Sequence, residues 1–101
     1  PYTYSVLLRA ESPDEKKVFS FLDTAADFIG SSMDSGSLRI LGPIPSPIGK
    51  IRGRKRGQLL LTSSSRKKLH SIGGRLISFV DEKRLGIKVK WSIDIDPIDH
   101  S

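Results

Sequence analysis

The sequence predicts an α+β domain: an antiparallel sheet with two helices on one face, its elements in the order β-α-β-β-α-β. Two stretches, from Ser12 to Gly30 and from Ser63 to Val80, place apolar residues at helical spacing behind capping residues. A third, from Ile87 to Ile95, alternates apolar and polar residues with the period of a half-buried strand. Shorter apolar runs bounded by glycine and proline supply the other strands.

Tyr2 to Ala10 is rich in β-branched, aromatic and aliphatic residues, which suit a strand buried on at least one face. Ser12-Pro13-Asp14-Glu15 opens the first helix, with Ser12 as N-cap, Pro13 in the first turn and Glu15 three residues after the cap. Val18, Phe21, Leu22, Ala25, Phe28 and Ile29 form its apolar face, and Gly30 can close it. Ser31 to Gly36 reads as a loop and Leu38 to Gly42 as a short second strand. Pro43, Pro45 and Pro47 cannot donate to a ladder and favour an extended arm, so a long loop, proline-rich and then basic, is expected at about 43–57. Gln58 to Thr62, built around Leu59-Leu60-Leu61, predicts a third strand buried on both faces. Ser63 to Ser65 can cap the second helix, whose apolar face is Leu69, Ile72, Leu76 and Phe79 or Val80. Gly73 and Gly74 each cost about 1 kcal/mol against alanine there, which points to close packing on the sheet or a kink. Ile87, Val89, Trp91, Ile93 and Ile95 share one side of the last strand, so Trp91 is expected in the core. This order matches the split βαβ, ferredoxin-like arrangement.

At 101 residues the chain is long enough for one domain, 1–101, with one modest core. Cysteine is absent, which removes disulfide scaffolds, cysteine-ligated zinc and cysteine nucleophiles and fits a reducing, cytoplasmic setting. The longest uncharged stretch, Ile40 to Gly49, holds three prolines and falls far short of a membrane span. The N-terminus has no basic region before an apolar run, so no signal peptide is expected, and the single methionine is Met33, so the chain reads as a piece of something longer. His70 and His100 are isolated from any nucleophile or metal motif, and no nucleotide-binding Gly-x-x-x-x-Gly-Lys segment occurs. Asp94 and Asp96 share a strand face without a third ligand at a recognisable spacing. Neither catalytic residues nor a metal or cofactor are expected within this chain.

The net charge of +6 hides a sharper split. From Ser35 to Val80 there are ten basic residues and no acid, whereas the rest of the chain carries seven basic and eleven acidic residues. Such asymmetry predicts a positive field over one region, the footprint of a polyanion-binding surface. Five of the seven residues from Lys50 to Arg56 are cationic: Lys50, Arg52, Arg54, Lys55 and Arg56. Like charges this close repel, so phosphates would stabilise the segment, and arginine forks grip phosphate through two donors at once. Arg66, Lys67 and Lys68 fall in the opening turn of the second helix, where the macrodipole disfavours cations by about 0.3 to 1 kcal/mol each. Local stability did not select them, and a helix N-terminus with three cations can seat a phosphate. Base-edge reading needs placed amide or guanidinium forks, and the chain contains no Asn, so binding is expected to be independent of sequence. Five to eight phosphate contacts would give a log affinity against log salt slope of about −4 to −6 on single strands and about −5 to −7 on duplex.

Several of these pieces resemble a known family. Leu7-Leu8-Arg9-Ala10-Glu11, Leu41-Gly42-Pro43 with Pro45 and Pro47, Lys50, Gly53-Arg54 with Arg56, Gln58-Leu59-Leu60-Leu61, Ser65-Arg66 with Leu69, and Val89-Lys90-Trp91 with Asp94-Ile95-Asp96-Pro97 are similar to the C-terminal domain of the bacterial primosomal protein N′ family, the replication-restart helicases (PriA). The resemblance spans nearly the whole chain. It implies a parent that is an ATP-dependent 3′-to-5′ DNA helicase of primosome assembly, with its ATP, magnesium and zinc sites upstream. It further implies a ribosomal-protein-like domain that contributes to DNA binding, lies against the helicase core and sits near where the family docks the acidic tail of single-stranded DNA-binding protein. The family's basic run has the form Gly-Arg-Tyr-Arg-Trp-Gln, whereas this chain has Lys55 and Gly57 in place of the two aromatics, so charge is expected to carry more of any binding.

Three functions follow from different classes. The first is a non-catalytic domain that grips fork or single-stranded DNA through Lys50, Arg52, Arg54, Lys55 and Arg56, helped by Arg66, Lys67 and Lys68. The second is an interaction module that docks an acidic protein tail or packs on the motor lobes. The third, acyl-phosphate hydrolysis by an enzyme of the same topology, needs an active-site Asn that is missing. The first requires its cations to lie together and to be free of the chain's own carboxylates.

Overall fold

The computed structural model describes residues 3–32, 38–45 and 53–95. In chain order the described elements are β1 (Tyr4–Ser12), α1 (Glu15–Ser32), β2 (Leu38–Pro45), β3 (Lys55–Ser63), α2 (Arg66–Lys83) and β4 (Lys90–Ile95), with a 3₁₀ turn, Leu85–Ile87, before β4. The sheet order is β2-β3-β1-β4 with every neighbouring pair antiparallel, so β3 lies between β1 and β2, as the split βαβ arrangement requires.

One core joins the helices to one sheet face. Val6, Leu8 and Ala10 of β1 and Leu59 and Leu61 of β3 are buried beneath Val18, Leu22, Ala25 and Ile29 of α1 and Leu69, Ile72, Leu76 and Val80 of α2. Trp91 packs half-buried on this cluster, its ring 6.1 Å from that of Phe21. Phe28 stacks on Phe79 at 4.1 Å where the two helices meet. Gly57 sets how closely α1 lies on β3: a Cβ there would come within 2.8 Å of Leu22 and 3.1 Å of Val18.

The structure corrects several expectations. The cap of α1 is Asp14, whose side chain accepts from the Lys16 amide at 3.0 Å, while Ser12 ends β1 and accepts from the Asp14 amide. Position decides: Asp14 immediately precedes Glu15 and its carbonyl accepts the first helical amides, whereas Ser12 lies two places earlier in the strand. β2 does not stop at Gly42: it continues to Pro45, with Ile44 opposite Gln58 and Pro45 opposite Gly57, after a register shift between Leu41 and Ile44. A proline is tolerated because β2 is an edge strand, and Gly42, at φ +113°, takes up the irregularity that a side chain would block. β3 accordingly starts at Lys55 rather than Gln58, so Lys55, Arg56 and Gly57 belong to the strand. Leu60 lies on the sheet face away from the helices and is only half-buried, since the helices cover one face alone. Ile87 leaves the last strand for the 3₁₀ turn and is 65% exposed.

Ser65 caps α2 as expected, accepting from the Lys68 amide at 3.2 Å. Gly73 is buried in that helix with space for a Cβ only at contact distance from Ile95, while Gly74 faces open space.

Candidate nucleic-acid interface

The basic run enters the sheet at the end where β1 finishes and β4 begins. Pairing of Ser12 with Lys55 and of Glu11 with both Arg56 and Lys90 fixes this end, and α1 starts from it. Of the expected contacts, Lys50 and Arg52 lie outside the described residues. Gly53, at φ +78°, and Arg54 lead into β3. Strand alternation then puts Arg56 on the face away from the helices and Lys55 on the covered side with Gly57 and Leu59.

Arg54 and Arg56 converge on one carboxylate. Arg54 Nε donates to Glu11 Oε2 at 2.6 Å, and Arg56 Nη2 stands 3.6 Å from Glu11 Oε1. This corrects the expectation that the run is unopposed by acid: Glu11, on the strand β1 that pairs with β3, cancels one of its charges. Cancellation is incomplete, because two guanidiniums face one carboxylate. An arginine carries five N–H donors in a fixed fork, so each retains donors that Glu11 does not occupy.

Arg66, Lys67 and Lys68 are exposed in the first turn of α2. That turn follows the far end of β3, so the strand from Lys55 to Ser63 separates the two groups of cations. At about 3.4 Å per residue this is roughly 27 Å. The structure therefore does not bring the six described residues together; it divides them between opposite ends of the sheet. In sequence the groups are separated by one strand, and a strand is the element that carries its two ends furthest apart per residue.

The face away from the helices adds residues that reading by charge runs misses. Register places Leu41, Leu60 and Leu7 in one row with Asp94, and Arg56, Glu11 and Lys90 in another. Arg9 bonds to Asp94 at 3.1 Å across β1 and β4, so Asp94 serves an exposed ion pair. The alternation of Arg9 and Glu11 with Leu8 and Ala10 signals that both face away from the core, but only the strand order tells which cations they meet. Among the described residues no group of three or more His, Asp or Glu is placed to hold a metal ion, and no helix is long and apolar enough to cross a membrane.

Solved structures share the fold. A de novo designed protein, Foldit4, superposes with a TM-score of 0.69 at 12% identity, covering 95% of this chain and 98% of its own. An amidase of the hydantoinase/carbamoylase family from Burkholderia phymatum gives 0.61 at 14% identity over 92% of this chain and 27% of its own. At these identities the likeness is one of architecture. Sequence relatives are more informative: the replication restart protein PriA of Haemophilus influenzae is 34% identical over all 101 residues, and the chain spans 13% of that protein's length. Residues 1–98 match the family described as the primosomal protein N C-terminal domain. With the family matched over nearly all its length and that relative over the whole of it, the chain belongs to the primosomal protein N C-terminal domain family.

Proposed function

We propose that the chain is a non-catalytic, sequence-independent DNA-binding domain of a replication-restart protein, contacting the phosphate backbone of fork or single-stranded DNA. The conditions set on the cations are not met across the described residues, so the reading is narrowed to one end of the sheet. The observation that carries it is the net positive charge left where Arg54 and Arg56 share the single carboxylate of Glu11. Pairing of Pro45 with Gly57 fixes where β3 begins, so that Arg54, Lys55 and Arg56 stand at one end of the sheet, adjoining Lys50 and Arg52 in sequence. The Arg54 and Arg56 forks together carry more N–H donors than Glu11 accepts, which supports a phosphate role, since a guanidinium gives bidentate contacts a lysine cannot. Arg66, Lys67 and Lys68 act as a separate contact that only a longer strand reaches.

The relative's name, a replication restart protein, supports a role in replication restart, and a parent that is an ATP-using helicase working in the cytoplasm with primosome partners is part of the same proposal. Fluorescence anisotropy with a labelled oligothymidylate tests the reading. Arg54→Glu with Arg56→Glu is expected to weaken binding by at least about tenfold, since reversing two phosphate contacts removes attraction and adds repulsion. Unchanged affinity in that variant would refute it.

A further inference from the structure

The sheet face away from the helices carries apolar residues to which the basic run gives no role. Leu41, Leu60 and Leu7 lie side by side across β2, β3 and β1, and Ile44 stands opposite Gln58 on the same side. Leu41 is 54% and Ile44 46% exposed, because both helices pack on the other face. Around this strip the face is cationic. Arg56 stands at one end of β3, and Arg39, opposite Thr62, stands near the other, about 20 Å away along the strand. Arg9 and Lys90 border the strip towards β4. Arg9 is matched by Asp94, and Arg54 and Arg56 share Glu11, whereas Arg39 is exposed and, among the described residues, forms no ion pair.

Each feature alone is ordinary: a charge on an edge strand discourages pairing with another chain, and scattered apolar side chains are common on surfaces. Their arrangement is not, because an apolar strip with a cation near each end, continuous with the Arg54 and Arg56 cluster, complements one class of ligand. A single strand presents unstacked base faces to water, and the backbone that joins them is a row of anions. A duplex keeps those faces stacked inside and shows only base edges in its grooves, so it gains nothing from an aliphatic strip. We propose that a single DNA strand leaving Arg56 runs over β3 and β2 on this face, with bases resting on Leu41, Ile44 and Leu60 and a phosphate reaching Arg39. Aliphatic side chains make no hydrogen bonds to base edges, so the contact tolerates any sequence. The proposal rests on the DNA reading above and adds Arg39 and an apolar contribution to it. A strand too short to run on from Arg56 makes neither contact.

The test compares a labelled oligothymidylate long enough to span β3 with an abasic strand of the same length, which keeps the sugars and phosphates and lacks the bases. The 101-residue chain is expected to bind oligothymidylate about fivefold more tightly than the abasic strand. Leu41→Ser with Ile44→Ser should remove that advantage, weakening oligothymidylate binding about fivefold while leaving the abasic strand within about twofold. Arg39→Ala should make the salt slope shallower by about 0.7 on both strands, the signature of one lost phosphate contact. All three positions are exposed, and retained affinity for the abasic strand shows that the serine variant is folded. Equal wild-type binding of the two strands, an unchanged oligothymidylate affinity in the serine variant, or an unchanged slope in Arg39→Ala would each overturn the assignment. So would self-association of the chain in sedimentation that the serine variant abolishes, which would give this face to a second copy. If any of these occurs while Arg54→Glu with Arg56→Glu still weakens binding, the DNA reading stands without the track; if wild type binds neither strand, both fall.

Discussion

Glu11 is the residue on which the charge of the candidate interface turns. It lies 43 positions from Arg54 in sequence and accepts its Nε proton at 2.6 Å, while its other oxygen faces Arg56. A carboxylate so placed competes with phosphate for the same donors, so Glu11→Gln is expected to raise affinity for oligothymidylate about three- to tenfold, read by anisotropy at low salt. Lower affinity would mean that Glu11 holds the two forks in a productive geometry instead. The identities of Arg54, Lys55 and Arg56 as candidates were legible from their density in the chain. Their carboxylate partner was not, because a cross-strand neighbour depends on which strands pair, and nothing local to Glu11 specifies that.

Elements with a strong local pattern were legible throughout. The apolar faces of α1 and α2 and the inward alternation of Trp91 and Ile93 follow from side-chain period alone, which burial of one face enforces. Where tertiary context decides, local rules gave way: prolines that block a central strand are accepted on the β2 edge, and the triple leucine of β3 is covered on one side only. Gly57 and Gly74 show how differently two glycines can act. A Cβ at Gly57 meets α1 at 2.8 Å, so Gly57→Val should cost about 1 to 3 kcal/mol by overpacking, measured by urea unfolding. Gly74 faces open space inside a helix, so Gly74→Ala should stabilise by about 0.5 to 1 kcal/mol in the same experiment. Equal effects of the two substitutions would contradict the packing described here.

Taken whole, the molecule presents two groups of cations separated by the length of β3, and this changes what binding should look like in solution. Eight residues acting as one surface would give the steep response that the charge density in sequence suggests; one end acting alone gives less. Burial of Leu8 and Leu61 against both helices holds the two ends apart, and Leu61→Ala should cost about 2 to 5 kcal/mol by urea unfolding, so the spacing is not readily altered. The salt dependence of affinity for a short labelled single strand tests the account most directly, because the slope counts the phosphates displaced from their counterions. Three to five contacts at the Arg54 end predict a slope of about −2 to −3.5 in log affinity against log salt. A slope within about one unit of zero would contradict backbone binding by this domain.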